Sequence, residues 1–284
     1  MDLVQIDGRY RLQRKLGSGS FAEIYAACDI FSGKDIAVKL ELLQGAHGTL
    51  EHEFDIYKKL AGGTGIPFVH SFGVESSYNV MDLFVHCHFQ FSIKTILLLA
   101  SQLICCLRYI HSRNFIHRDL KPSNIIMGVG KHTNTVYIID FGLSKAFRNP
   151  NTYLHIPYNG AQGLVGTATF ASIHSHLGFE LGRRDDLESL AYILIYFLRG
   201  SLLWQGLALK SHDLVVESKQ ATSAHVLCQG LPEQLHIFLE YSHSLSFDDK
   251  PDYNYLYNLF NAPLLRDGFR SDLAFDWNGS DDRI

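Results

Sequence analysis

Residues 115–124 read FIHRDLKPSN and place a carboxylate at Asp119, an ammonium two positions on at Lys121, and a carboxamide five positions on at Asn124. Moving a phosphoryl group onto a hydroxyl asks for that set: a base for the hydroxyl proton, a cation against the moving phosphoryl, and oxygen ligands for a metal ion. Asp119 can accept the proton, Lys121 can sit against the phosphoryl, and Asn124 can ligate magnesium. Pro122 is expected to fix this loop and keep it from becoming helix.

Three further stretches fit the same chemistry. In VYIIDFGLSK, Asp140 follows an apolar strand and precedes Phe141-Gly142. A carboxylate at the end of a buried strand is a natural second ligand for a hard cation. Asp140 lies 16 residues after Asn124, with room for a hairpin between them. In IAVKLEL, Lys39 sits on an alternating strand, so Val38 and Leu40 face away from it. A lysine turned into a lobe needs an anionic partner, and Glu53 on the next helix is available. LGSGSFAEI, residues 16–24, has small residues in a strand-turn-strand, where backbone N–H groups can approach phosphates closely. Taken alone that motif is more often a plain hairpin turn. Its third small position is Ala22 rather than glycine.

The elements that must hold these groups are legible in outline. Residues 10–40 alternate apolar and polar positions between glycine breaks, which predicts a small antiparallel sheet. LEHEFDIYKKLAGG predicts a helix, with Leu50, Phe54, Tyr57 and Leu60 at helical spacing and Gly62-Gly63 as the stop. Strand-like sequence then runs from Phe68 to about Leu83. Ser92 can cap a long helix whose apolar face is Ile93, Ile96, Leu97, Ala100, Leu103, Ile104, Leu107 and Ile110. DLESLAYILIYFL is apolar nearly all round and predicts a helix buried within a helical lobe; more helices follow Trp204.

Composition narrows the class. The 284 residues are 46% hydrophobic and 19% charged, with a net charge of -4, which gives no electrostatic reason to expect nucleic acid. Five cysteines without CxxC pairing read as buried thiols in a reducing compartment. The opening MDLVQIDGRY does not read as a signal peptide, because Gln5 and Asp7 interrupt its apolar stretch. The most apolar run, residues 92–110, carries Lys94, Gln102 and Arg108, so no membrane span is expected.

Four motifs in this order and spacing resemble a eukaryotic protein kinase domain over essentially the whole chain. Where most protein kinases carry A-P-E, this chain has Ala171-Ser172-Ile173 within LVGTATFASIHSHLGFELGRRDDLESL. That segment, with GGTGIPFVHSFG, HIPY, VLCQGLP and DDKPDYNYLYNLF, resembles the casein kinase I family.

The resemblance implies an α+β, bilobal fold in one domain over residues 1–284: an N-lobe over 1–83, a shortened linker over 84–91, and a C-lobe over 92–284. It implies a serine/threonine protein kinase using ATP and Mg²⁺ on protein substrates, expected to be monomeric; without a recognisable targeting signal, the cytoplasm or also the nucleus is the expected location, and the long tail of many relatives is not expected after AFDW. Leu16, Gly17, Ser18, Gly19, Ser20, Phe21, Ala22, Glu23 and Ile24 would cover ATP, with Ala37 beside it. Lys39 would pair with Glu53 and the α/β-phosphates, and Asp82 and Leu83 would stand in for the adenine-binding hinge. Asp119 would be the base and Lys121 its catalytic neighbour, while Asn124 and Asp140 would hold Mg²⁺. Asp186 would brace the catalytic loop rather than take part in catalysis.

Three departures from the family pattern stand out. Between SYNVMDL and SIKTIL roughly ten residues are missing from a connection whose length normally varies little. Two alignments fit. One keeps Met81-Asp82-Leu83 as strand end and hinge, losing two strand residues and about 7 Å of reach. The other makes residues 82–84 the remnant of the following helix, with the hinge gone. A scaffold with impaired nucleotide binding is therefore the alternative to an active enzyme; a small-molecule kinase is a third, which the GTATFASI segment argues against. The second departure is among basic residues near the cleft: Thr169 stands where the family has Arg, Asn159 and Gln162 replace charged residues, and Arg118 and Lys145 remain. Reduced selectivity for phosphate-primed substrates is the expectation. The third is Leu203 in place of proline, read as a packing change.

Overall fold

The computed structural model describes residues 5–6, 8–18, 22–42, 49–69, 71–75, 78–83, 91–128, 130–160, 162–207, 211–266 and 275–279. The N-terminal part is built on strands β1 (Gln5–Ile6), β2 (Tyr10–Ser18), β3 (Ala22–Asp29) and β4 (Asp35–Leu42), helix α1 (Thr49–Leu60), and strands β5 (Phe72–Glu75) and β6 (Tyr78–Leu83). The strands form one antiparallel sheet in the order β1-β2-β3-β4-β6-β5.

Alternation on β4 gives its two faces different work. Val38 and Leu40 pack with Tyr10, Leu12, Ala27 and Ile36 on one face. Ala37 belongs instead to the main core with Leu50, Tyr57 and Met81, so Lys39, one pleat on, shares that inward face. In α1, Leu50, Ile56, Tyr57 and Leu60 are buried, and Glu53 is buried among them. Phe54 is only partly buried and stacks on Phe72. Gly62 ends this segment in the left-handed region, at φ 76°.

The helix-rich remainder comprises α2 (Ile93–Ser112), short strands β7 (Phe115–Ile116), β8 (Ile125–Met127), β9 (Val136–Ile138) and β10 (Lys145–Ala146), then α3 (Ile173–His176), α4 (Arg183–Arg199), α5 (His212–Ala221), α6 (Ala224–Leu227), α7 (Glu233–Ser244) and α8 (Tyr253–Arg266). An antiparallel sheet followed by helices is the bilobal α+β architecture the motifs imply. Ser92 caps α2 by accepting from Thr95 N at 3.2 Å. Along α2, Ile96, Leu97, Ala100, Leu103, Ile104, Leu107 and Ile110 are buried. Ile93 is not: in the first turn it is 54% exposed. By length and composition α2 could cross a bilayer, but most of it is buried within this fold, where α4, α8 and β9 pack along it.

α4 is buried nearly all round, with Leu187, Leu190, Ile193, Leu194 and Ile195 at 1% exposure or less. Each such side chain contributes roughly 1.5–3 kcal/mol relative to exposure. Gly200 closes the helix at φ 77°. Cys106 and Cys228 are buried as expected, Cys28 and Cys105 only partly so, and Cys87 lies outside the described residues. Leu203 is 52% exposed, so its replacement of proline acts on a surface turn and is not a packing change.

Candidate active site

β4 and α1 bring the first pair together. Lys39 Nζ lies 2.7 Å from Glu53 Oε2 and 2.9 Å from Asp140 Oδ1, tying the sheet and α1 to the C-terminal part. Glu53 is 1% exposed, and burial pushes its carboxyl up to about 7 against the pull of Lys39. Burial works to lower the Lys39 ammonium as well, but Glu53 and Asp140 together outweigh it and hold the ammonium above its ordinary value. Asp140 is lowered: partial burial works upward, and Lys39, with smaller help from His117 and Lys121, overcomes it.

Asp140 follows β9 and has φ 68°, a left-handed conformation rare for a residue with a side chain. Its N–H donates to Tyr57 Oη at 3.1 Å. Phe141 is fully buried, with edge contacts to Tyr57 at 5.0 Å and His117 at 5.1 Å between centroids. A chain of edge-to-face ring contacts thus joins α1 to the loop that carries Asp119. His52 adds a second tie, with Nε2 at 3.0 Å from the Ser144 carbonyl.

The loop between β7 and β8 carries the opening motif. Lys121 Nζ donates to Asp119 Oδ2 at 2.7 Å, and Thr167 Oγ1 donates to Asp119 Oδ1 at 2.8 Å. Asn124 uses Nδ2 on the Asp119 carbonyl at 2.9 Å, which leaves its amide oxygen for a cation. Pro122 does not prevent helix here: it opens a 3-10 turn over Pro122–Asn124. At a first helical position its missing N–H costs nothing and its fixed φ is already suitable.

Asp186, in the first turn of α4, braces this loop. Its Oδ2 accepts from His117 N at 2.8 Å and its Oδ1 from Arg118 N at 2.9 Å, while His111 Nε2 lies 2.8 Å from Oδ2. Burial works to raise the Asp186 carboxyl, but His111 and His117 together hold it low. Arg118, at φ 69°, is left-handed like Asp140, and such outliers persist where surrounding contacts fix them.

The glycine-rich hairpin is described in part. Leu16, Gly17 and Ser18 end β2, and Ala22, Glu23 and Ile24 begin β3, with Gly17 opposite Ile24; Gly19, Ser20 and Phe21 lie outside the described residues. Glu23 is exposed and engaged by Lys15 at 2.5 Å and by the Tyr25 hydroxyl at 2.8 Å. Its carboxylate closes the hairpin across the strands. Ala37 is buried opposite Leu83, and Val38 lies opposite Asp82. β6 therefore continues through Met81, Asp82 and Leu83, the arrangement of the first alignment, whereas residues 84–90 lie outside the described residues.

The comparison with known families decides the matter: residues 10–245 match the family described as "Protein kinase domain". The chain belongs to the protein kinase family. Protein kinases use ATP and a divalent metal ion to phosphorylate proteins, and this kinase presents a suitable donor set. Asp140 gives one carboxylate oxygen to Lys39 and keeps the other, and Asn124 keeps its amide oxygen. Two oxygen ligands beside waters and phosphates suit a hard cation.

Thr167 and Lys219 are the functional neighbours that sequence reasoning missed. Gly166, at φ 90°, lets the chain pass so close that a Cβ there would lie 2.5 Å from the Arg118 carbonyl, and this delivers Thr167 to Asp119. Lys219 Nζ donates to the carbonyls of Ala168 at 3.0 Å and Ala171 at 2.5 Å, beneath the segment that replaces A-P-E. It lies over the Tyr192 and Trp204 rings, and Trp204 Nε1 donates to the Thr169 carbonyl at 2.8 Å.

Proposed function

We propose that this kinase is a serine/threonine protein kinase of casein kinase I type, which transfers the γ-phosphoryl of MgATP to hydroxyl groups of protein substrates. The observation that carries this active reading is Lys39, which binds Glu53 at 2.7 Å and Asp140 at 2.9 Å and so joins both halves of the catalytic apparatus. MgATP, when bound, supplies the phosphoryl group, and Mg²⁺ offsets its charge. Lys39 would serve the phosphates, and Asn124 and Asp140 would hold the Mg²⁺. Asp119 takes the proton of the substrate hydroxyl, with Thr167 fixing Oδ1 so that the carboxylate cannot rotate away. Lys121 steadies Asp119 and offers its charge to the moving phosphoryl.

The family segments around Ala171-Ser172-Ile173 support the casein kinase I assignment. We read the chain as one domain over residues 1–284, monomeric, cytoplasmic or nuclear, acting on proteins rather than on nucleic acid or membranes. The pairing of Leu83 with Ala37 supports the backbone of Asp82 and Leu83 as the surrogate hinge.

Weak dependence on primed substrates fits the cations near the cleft. Lys145 is engaged by buried Glu180 at 2.8 Å, which Gln162 also contacts at 3.0 Å. Arg118 spends Nε on the Leu143 carbonyl at 2.6 Å, and Lys219 is only 2% exposed.

Incubation with labelled MgATP and casein, beside an Asp119→Asn control, tests the reading. Transfer that vanishes in the control is the expected result. A folded protein that transfers nothing would overturn it in favour of a scaffold.

A further inference from the structure

A cavity of about 620 Å³ opens on the C-lobe where the end of α2, the Arg148 loop, the start of α4 and the start of α8 meet. Four cationic side chains line it: Arg108, Arg148, Arg183 and Lys250. Among the described residues none of the four forms a salt bridge. The one carboxylate in the lining is Asp252, whose Oδ1 accepts from Asn254 N and Tyr255 N at the start of α8.

The two inner arginines are built into place. Arg183 is 6% exposed; its Nη2 donates to the Asp248 carbonyl at 2.5 Å and its Nε has no partner among the described residues. Its guanidinium carbon sits 4.5 Å from the Phe147 ring centroid, and that of Arg148 sits 5.2 Å from the same centroid. Arg148 is held further by Asn114 Oδ1 at 2.5 Å and by the Tyr153 ring at 4.9 Å. Two guanidinium groups packed about one phenyl ring repel each other, the burial of Arg183 reduces the screening by water, and Asp248 and Asp249 nearby offset part of that repulsion. An anion in the cavity relieves that repulsion.

We infer that this cavity is a binding site for a phosphate dianion, either free or carried on a protein. A carboxylate offers two oxygens and one charge, too little to engage four cations. A phosphate offers two charges and several acceptor oxygens, and guanidinium forks match its geometry. The site is separate from the catalytic loop and uses neither Arg118 nor Lys145, so it stands whether or not the kinase is of casein kinase I type. Its wall does include His111, whose Nε2 contacts Asp186, the brace of the catalytic loop.

The test is titration of the whole chain at constant ionic strength with inorganic phosphate, a phosphoserine peptide and the same peptide unphosphorylated, followed by calorimetry and thermal unfolding. Arg108→Glu/Lys250→Glu alters the cavity mouth and leaves the packed Arg183 and Arg148 alone; Arg148→Gln probes the interior. Phosphate is expected to bind and raise the unfolding midpoint, and both variants to need at least tenfold more of it. A phosphopeptide binding tenfold tighter than inorganic phosphate, with the unphosphorylated peptide inert, assigns a protein-borne phosphoryl; equal binding assigns the free anion. No response of the wild type beyond that to sodium chloride overturns the proposal. So do folded mouth variants that bind phosphate as the wild type does.

Discussion

Thr167 donates its hydroxyl to Asp119 Oδ1 at 2.8 Å, so the residue proposed as the base is gripped from the segment that leads into Ala171-Ser172-Ile173. Lys121 holds the other oxygen at 2.7 Å. A hydrogen bond to a charged group is worth about 1.5–3 kcal/mol. Thr167→Val should therefore lower kcat roughly tenfold to a hundredfold, with KM for ATP little changed. Thr167→Ser keeps the donor and should stay within about threefold of the wild type. Steady-state kinetics on casein decide it; a valine variant with wild-type kcat refutes the role.

The residues whose chemistry is declared by type and spacing were the legible ones. Lys39, Glu53, Asp119, Asn124 and Asp140 lie in motifs with fixed local context, and the fold brings them together. Thr167 reaches Asp119 across 48 positions, through a glycine conformation that nothing in its neighbours announces. Lys219 sits on α5 in no motif that singles it out, but the rings of Tyr192 and Trp204 and two carbonyls make a buried seat for it. Ile93 fits the helical period and still faces outward, because periodicity names a face without saying how far the neighbouring elements extend. Pro122 was misread because a proline that forbids helix interior is at home on its first turn.

Asp186 receives two backbone N–H groups and lies beside His111 with almost no exposure to water. Asp186→Ala leaves those donors without their acceptor, which costs about 1–3 kcal/mol for each. Urea unfolding should show that loss, and casein phosphorylation should fall with it. Asp186→Asn retains one acceptor oxygen and should lose less of both. An alanine variant as stable as the wild type would show that the brace carries no weight.

Thr169 stands near a cleft whose remaining cations are engaged: Lys145 by Glu180, Arg118 in part by Leu143. A peptide pair with and without an upstream phosphate should be phosphorylated with kcat/KM values within about threefold of each other. Restoring one cation with Thr169→Arg should favour the primed peptide by roughly tenfold, the worth of one charge-assisted hydrogen bond. A strong wild-type preference for the primed peptide defeats this reading.

Lys219 couples the seat beneath the Ala168 and Ala171 carbonyls to pH. Burial lowers its ammonium from 10.5 to about 7, and the attraction of Glu188 only partly offsets that. Between those two values the folded chain has released a proton that the unfolded chain still holds. Stability rises with pH wherever the unfolded state binds more protons, so Lys219 contributes an increase from pH about 7 to about 10. Lys219→Met keeps apolar contact with Tyr192 and Trp204 but cannot titrate. Urea unfolding of both proteins at each unit of pH across that window isolates the residue, because every other group is common to the pair. The wild type should gain stability relative to the methionine variant as pH rises. A constant difference would mean that the ammonium stays protonated in its seat, held by the two carbonyls and the two rings against the cost of burial.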